Sequence, residues 1–134
     1  MNRKKGIFIT VGIIAIGALA FSGKYLLDLR EYKQAMATVE IKTLDLAKLE
    51  DGVYAGSYDA KIIAASVEVT LDEGKITKIE LIKHKYEKGG PAVSVIDEII
   101  AQQTLEVDVV SGATNSSKTI LKAVENALES APIR

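Results

Sequence analysis

The chain has 134 residues, a formal net charge of −1, 48% apolar residues, no cysteine and a single histidine, His84. That length holds one modest domain. The absence of cysteine excludes disulfides, thiolate metal sites and a lipid-modified cysteine anchor, and one histidine cannot build a histidine-rich metal centre or a c-type haem site. The charge is unevenly divided: residues 1–50 hold 8 basic and 5 acidic side chains, whereas residues 51–134 hold 9 basic and 13 acidic ones. The second part is mildly acidic, which excludes the electrostatic footprint of a nucleic-acid binder.

Arg3, Lys4 and Lys5 precede the stretch GIFITVGIIAIGALAFSG, Gly6 to Gly23, 18 residues without a charge. A membrane-spanning helix needs ~17–25 apolar residues, so this run is at the short end of that range. A basic start, an apolar middle and Ala18-Leu19-Ala20 also suit a cleaved signal peptide. We read an uncleaved anchor, with cleavage and secretion as the alternative. Either reading carries the remainder out of the cytoplasm, with the basic cluster left inside. Lys24 to Met36 is mixed in character and helix-like, and continues the anchor as a stalk. Ala37 to Glu50 scatters Val39, Ile41, Leu44, Leu46 and Leu49, as a linker leaning on the domain does. The chain therefore divides into an anchor or signal (1–23), a stalk and linker (24–50) and one folded domain (51–134).

Asp51-Gly52 opens that domain as a turn. Val53 to Tyr58 is a short strand with two tyrosines. In Ile63 to Leu71, the residues Ile63, Ala65, Val67, Val69 and Leu71 alternate with Ala64, Ser66, Glu68 and Thr70, the period of a half-buried strand. Asp72-Glu73-Gly74 is a turn with glycine where φ is positive. Lys75 to Lys83 resumes strand pattern, with Thr77, Ile79 and Leu81 on one face. Tyr86 to Gly90 is a polar loop, and Pro91 suits the first position of a helix. That helix runs from Ala92 to Gln103 with Val93, Ile96, Ile99 and Ile100 inward. Leu105 to Val110 reads as extended. Ser117 to Glu129 is the last helix, its face set by Ile120, Leu121, Val124, Ala127 and Leu128. Strands gathered before helices predict an α+β domain: a small antiparallel sheet packed with two helices, preceded by one N-terminal transmembrane helix.

The stretch VDVVSGATNSSK, Val107 to Lys118, crowds Ser111, Thr114, Ser116 and Ser117 at the entrance of the last helix, with Thr119 just beyond. Capping requires one such side chain. Lys118, placed in the first turn, meets the positive end of the helix dipole, and no acid occurs between Asp108 and Glu125. A bound phosphate accounts for both features, because helix N-termini collect anions and Gly112 admits a close backbone approach. An elaborate cap remains the other reading. The spacing is not that of a P-loop or of a nucleophile elbow.

The pattern Asp108-x-x-Ser111-Gly112-Ala113-Thr114-x-Ser116-Ser117 resembles the flavinylation motif of the bacterial FMN-binding domain family. That family includes the covalent flavoprotein subunits of the sodium-translocating NADH:quinone reductase and of the Rnf complex. The resemblance extends over Asp51 to Leu128 and takes in Asp51-Gly52-Val53-Tyr54-x-Gly56, the hairpin and the His84 to Gly90 loop. It implies FMN joined through its phosphate to the Thr114 hydroxyl by a flavin transferase that uses FAD as donor. It further implies that Ser111, Gly112, Ala113, Ser116, Ser117 and Lys118 surround the phosphate, that Asp108 serves recognition of the motif, and that His84, Gly89 and Gly90 lie near the ring. Lys83, Lys85 and Lys88 form a small basic cluster in the same region, and Tyr54 and Tyr58 are packing groups that could also stack on a flavin.

With no nicotinamide site and no evident acid–base pair, the sequence reads as an electron carrier more than a complete enzyme. The expected function is that of a membrane-anchored, extracytoplasmic electron-transfer flavoprotein, supplied by a membrane electron donor such as a quinone-linked reductase. The alternatives are an anchored sensory or interaction module that binds FMN reversibly or not at all, and a flavin-dependent reductase of a small substrate.

Overall fold

In the computed structural model, which describes residues 2–85 and 90–134, a single helix, α1, runs unbroken from Arg3 to Thr38. Its 36 residues span about 54 Å at the usual rise. The helix is long and apolar enough to cross a membrane. Its apolar side chains face outward on all sides, Phe8 and Phe21 being 76% exposed, and Met36 is its one buried residue. Gly6, Gly12, Gly17 and Gly23 each weaken a helix in water but are common in lipid-spanning ones. The linker starts later than the sequence suggested, at Val39, because the mixed residues after Gly23 keep their helical bonding through Thr38.

The domain begins with β1 (Gly52–Asp59), β2 (Ala64–Asp72) and β3 (Lys75–Lys85), paired antiparallel in that order. The alternation read in β2 holds: Ala65, Val67, Val69 and Leu71 are buried. Between β2 and β3, Asp72 pairs with Lys75, and the two loop residues Glu73 and Gly74 have φ of 50° and 73°. Such a turn matches the twist of the strands it joins. β3 departs from the simple alternation. Its register shifts twice, leaving Thr77 and Ile82 without partners in the ladder. Each extra residue is a bulge that turns the following side chains over, so Ile76 joins Ile79 in the core while Thr77 faces solvent.

Helix α2 (Val95–Gln102) is shorter than expected, because Gly90–Ser94 forms a 3-10 turn ahead of it. That turn re-phases the face: Ala92 and Val95 are buried with Ile96 and Ile99, and Val93 is 41% exposed. Gln103 closes the helix in the left-handed region at φ 55°. Its side chain accepts from the Ile76 N–H at 2.8 Å and donates to the Ile76 carbonyl at 2.8 Å, tying α2 to β3 as a strand neighbour would. Residues 105–110 form no strand; Leu105 alone among them is buried.

Helix α3 (Thr114–Glu129) lies across β1 and β2. The face read from the sequence is inside, with Ile120, Val124, Ala127 and Leu128 fully buried. The approach to β1 is close. A Cβ added at Gly56 would stand 2.3 Å from the Ala123 carbonyl oxygen, so only glycine fits there. At the far end of α3 the chain terminus is stitched to the linker. Leu49 bridges Ile133, the Glu50 N–H donates to the Pro132 carbonyl at 2.9 Å, and Arg134 pairs with Asp51.

Candidate functional site

The motif helix starts three residues earlier than the sequence suggested, at Thr114, with Ala113 in the capping position and no side-chain cap hydrogen bond among the described residues. Asn115, Ser116 and Ser117 therefore lie inside the helix and cap nothing. The hydroxyls of Ser116, Ser117 and Thr119 turn inward instead. The Ser117 hydroxyl donates to the Ala113 carbonyl at 2.8 Å and accepts from the Val110 N–H at 3.1 Å, clamping the loop before the helix. Thr119 donates to the Asn115 carbonyl at 2.8 Å. This back-bonding one turn along is the usual fate of a hydroxyl buried in a helix. Ser116 is 2% exposed and its hydroxyl has no hydrogen-bond partner among the described residues.

What remains outside is a small open group. Ser111, Gly112 and Thr114 are exposed, and Ala113 is buried beneath them. Gly112 has φ +78° with nothing within 4 Å of where a Cβ would stand. Its glycine answers a backbone requirement, not crowding. Because the helix begins at Thr114, the N–H groups of Thr114, Asn115 and Ser116 have no partner within it. Lys118 falls in the second turn, not the first, and is half-buried. It forms no ion pair among the described residues. Its conflict with the dipole is thus milder than the sequence suggested, since that effect fades beyond the first turn. Asp108 is exposed on the segment leading to the loop.

Three other segments meet the same end of α3. Asn115 donates to the Tyr32 hydroxyl of α1 at 2.7 Å. Glu31, next to it, pairs with Lys61 at 3.6 Å in the β1–β2 connection. The Lys61 carbonyl accepts from Lys85 at the end of β3 at 2.8 Å. His84 precedes Lys85, pairs in the ladder with Ala65 and is partly buried. Burial pushes its imidazole below the usual histidine range. Gly90 begins the 3-10 turn that packs on α3. Gly89 and Lys88 lie outside the described residues.

Tyr54 lies away from this group, whereas Tyr58 pairs with Ala65 in the rung that also holds His84. Both tyrosines pack against the core, and the Tyr54 hydroxyl donates to the Glu50 carbonyl at 2.9 Å. A cavity of about 480 Å³ over Ala55, Ser57, Glu68 and Ile82 is lined by none of the motif residues.

Two residues that matter here were not singled out from the sequence. Tyr32 stands in a mixed helix where nothing marks it. Glu125 is fully buried in α3, accepting from the Lys42 N–H at 3.0 Å and pairing with Lys122 at 2.8 Å. Its one available signal was its place among the inward residues Leu121, Val124 and Leu128.

An exposed threonine hydroxyl, three free backbone donors, a positive-φ glycine and a lysine one turn on make a fit for a phosphoryl group. The orphaned Ser116 hydroxyl adds an unmet polar group in the first turn. The donor set suits the phosphate end of a flavin mononucleotide.

Comparison with known proteins agrees. Residues 63–129 match the FMN-binding domain family, and the chain belongs to that family. The match begins just before β2, so β1 and its Asp-Gly-Val-Tyr opening lie outside it. The chain is 43% identical over 66 residues to the NADH:acrylate oxidoreductase of Vibrio harveyi and 32% identical over 84 residues to the urocanate reductase of Eggerthella lenta, covering 47% and 60% of this chain. An uncharacterized protein of Treponema pallidum is 28% identical over 103 residues, 75% of this chain. The chain spans 7%, 14% and 29% of the length of these three relatives respectively. No solved structure matches.

Proposed function

We propose that the protein is a membrane-anchored electron carrier whose FMN is bonded through its phosphate to Thr114, with the domain outside the cytoplasm. The carrying observation is the exposed Thr114 hydroxyl at the start of α3, beside the free N–H groups of Thr114, Asn115 and Ser116. A phosphodiester formed there lies at the positive end of a helix dipole, with Lys118 one turn on. In the attachment step the Thr114 oxygen attacks the FMN phosphorus of FAD. The phosphoanhydride bond to AMP breaks, AMP leaves with the electron pair, and the hydroxyl proton passes to a base on the flavin transferase. This chain is the acceptor and supplies no catalyst. Its motif loop is held ready by the Ser117 clamp on Val110 and Ala113, and Asp108, exposed just before it, is where the transferase recognises the loop.

The isoalloxazine of a bound FMN supplies reversible electron uptake and release. The protein's part is to hold it. His84 and Gly90, at the same end of the domain as Thr114, are the described groups that we assign to a ring anchored there, and the resemblance adds Gly89. The two relatives with named activities are a NADH:acrylate oxidoreductase and a urocanate reductase, of which this domain matches a small part. A domain that forms a minor part of larger reductases suits a relay of electrons better than a site of substrate reduction. A quinone-linked reductase in the membrane fits the donor, α1 the tether, and the Arg3–Lys5 cluster an orientation with the N-terminus inside. If the N-terminal segment is cleaved, the same carrier is secreted.

The test is to express the full chain with and without a flavin transferase, denature it, and look for flavin fluorescence that stays with the protein. Membranes energised with a respiratory donor should then bleach the flavin absorbance. Flavin lost on denaturation supports the reversible-binding module, and turnover of a small organic acceptor by the isolated chain supports a reductase.

A further inference from the structure

The anchor helix does more than tether the domain: its contacts fix which end of the domain faces the membrane. Contacts between the stalk and α3 run in order along both segments. Tyr32 meets Asn115 in the first turn of α3. Farther on, the Glu40 carbonyl accepts from Lys122, the Lys42 N–H donates to Glu125, and the Lys42 ammonium pairs with Glu129 at 3.8 Å. Residues 32–42 thus travel beside α3 in the same direction, from its N-terminus to its C-terminus. α1 is continuous from Gly6 through Thr38, so the direction of the apolar run carries into the domain without a hinge. Met36, 7% exposed, seats the last turns of α1 on the domain. The exposed Glu31–Lys61 pair adds a contact between the helix and the β1–β2 connection.

From these contacts we infer that the end of α1 and the segment that follows it run parallel to α3 and hold the Thr114 end of the domain toward the bilayer, against an anionic lipid surface. The inference rests on the anchored reading of α1. Tyr32 lies nine residues beyond Gly23, about 13 Å at the helical rise, and a headgroup layer is ~5–8 Å deep. Asn115, and Thr114 beside it, are therefore held just above the headgroups. The far end of α3 stands about 24 Å higher. Charge follows the same axis. Lys61, Lys83, Lys85 and Lys118 lie toward the Thr114 end together with the exposed Asp59 and Asp108, and Asp97 and Glu98 are exposed in the first turn of α2. Asp45, Glu50, Asp51, Asp72, Glu73 and Glu129 gather at the opposite end with Lys48, Lys75 and Arg134. Basic groups near a membrane favour anionic lipid. A redox group on Thr114 would in this pose exchange electrons at the membrane surface, and soluble partners would be screened from it by the domain.

The chain has no cysteine, so single labels are clean. Ser111→Cys and Glu129→Cys variants of the full chain, each carrying a fluorophore, would be reconstituted into vesicles of phosphatidylcholine with a minority of phosphatidylglycerol and a headgroup-linked quencher. Flotation reads anchoring; quenching reads orientation. The label at position 111 should be quenched several-fold more than that at 129, and Glu31→Ala with Tyr32→Ala should draw the two together without affecting flotation. Equal quenching in the otherwise native chain, or stronger quenching at 129, overturns the inference while leaving the anchor in place. A chain that does not float removes the anchored reading and this inference with it, leaving the assignment of Thr114 standing.

Discussion

The two ends of α3 differ in what they are built to do. At its C-terminal end the helix is closed in by the Leu49–Ile133 bridge, the Arg134–Asp51 pair and the buried Glu125, which reaches the linker backbone. At its N-terminal end no side chain among the described residues caps the helix, the first backbone donors have no partner within it, and Ser111, Gly112 and Thr114 are exposed. One helix thus combines a sealed end that holds the fold together and an open end available to chemistry. Substitutions at the two ends should separate stability from flavin loading.

The sharpest break in that comparison is Thr114→Ala. It should abolish all denaturation-resistant flavin fluorescence while shifting stability by no more than ~0.5 kcal/mol, as for an exposed position. Thr114→Ser should keep part of the loading. Glu125→Ala, at the sealed side, should do the reverse. It leaves the Lys42 N–H and the Lys122 ammonium without their carboxylate, a loss of about 3 kcal/mol for a broken buried pair. Thermal unfolding of the full chain in detergent would read that loss, with the folded fraction still accepting flavin. Gly56→Ala pushes a methyl into the α3 backbone and should cost about 2 kcal/mol by overpacking, again with loading retained.

Gly112→Ala tests the open end more gently. Holding alanine at φ +78° costs about 1 kcal/mol, and the distorted loop should load more slowly in a timed reaction with the transferase. Smallest is the pH effect of His84. Burial lowers its pKa from the ordinary 6.5, so the unfolded chain takes up the proton at higher pH than the folded one. Stability from this group is complete above that unfolded value and is lost as pH falls through it toward the folded one. A melting-temperature profile should show this decline on acidification, and His84→Gln should flatten it.

The sealed end and the sheet were largely legible because they follow short-range periodicity. The alternation in Ile63–Leu71, the Glu73-Gly74 turn and the inward face of α3 each reflect local geometry. Strand β3 departs from its sequence pattern where bulges at Thr77 and Ile82 break the two-residue period, a feature set by pairing with β2 and invisible in β3 alone. The helix starts differ from the sequence pattern for a related reason. Hydroxyls that pattern reading assigns to caps are here drawn inward, because α3 is buried on the Ser116, Ser117 and Thr119 side as well. The motif residues stood out by composition. Tyr32 and Glu125 did not, since their roles come from segments 83 residues apart in sequence.

The central claim is that Thr114, and no neighbouring hydroxyl, bears the flavin. Its direct test is peptide mass mapping of the full chain isolated after expression with a flavin transferase. The peptide spanning Ser111 to Lys118 should gain the mass of one FMN less one water, and fragmentation should place the added mass on Thr114. An unmodified peptide, or the same mass localised to Ser111, Ser116 or Ser117, would contradict the account.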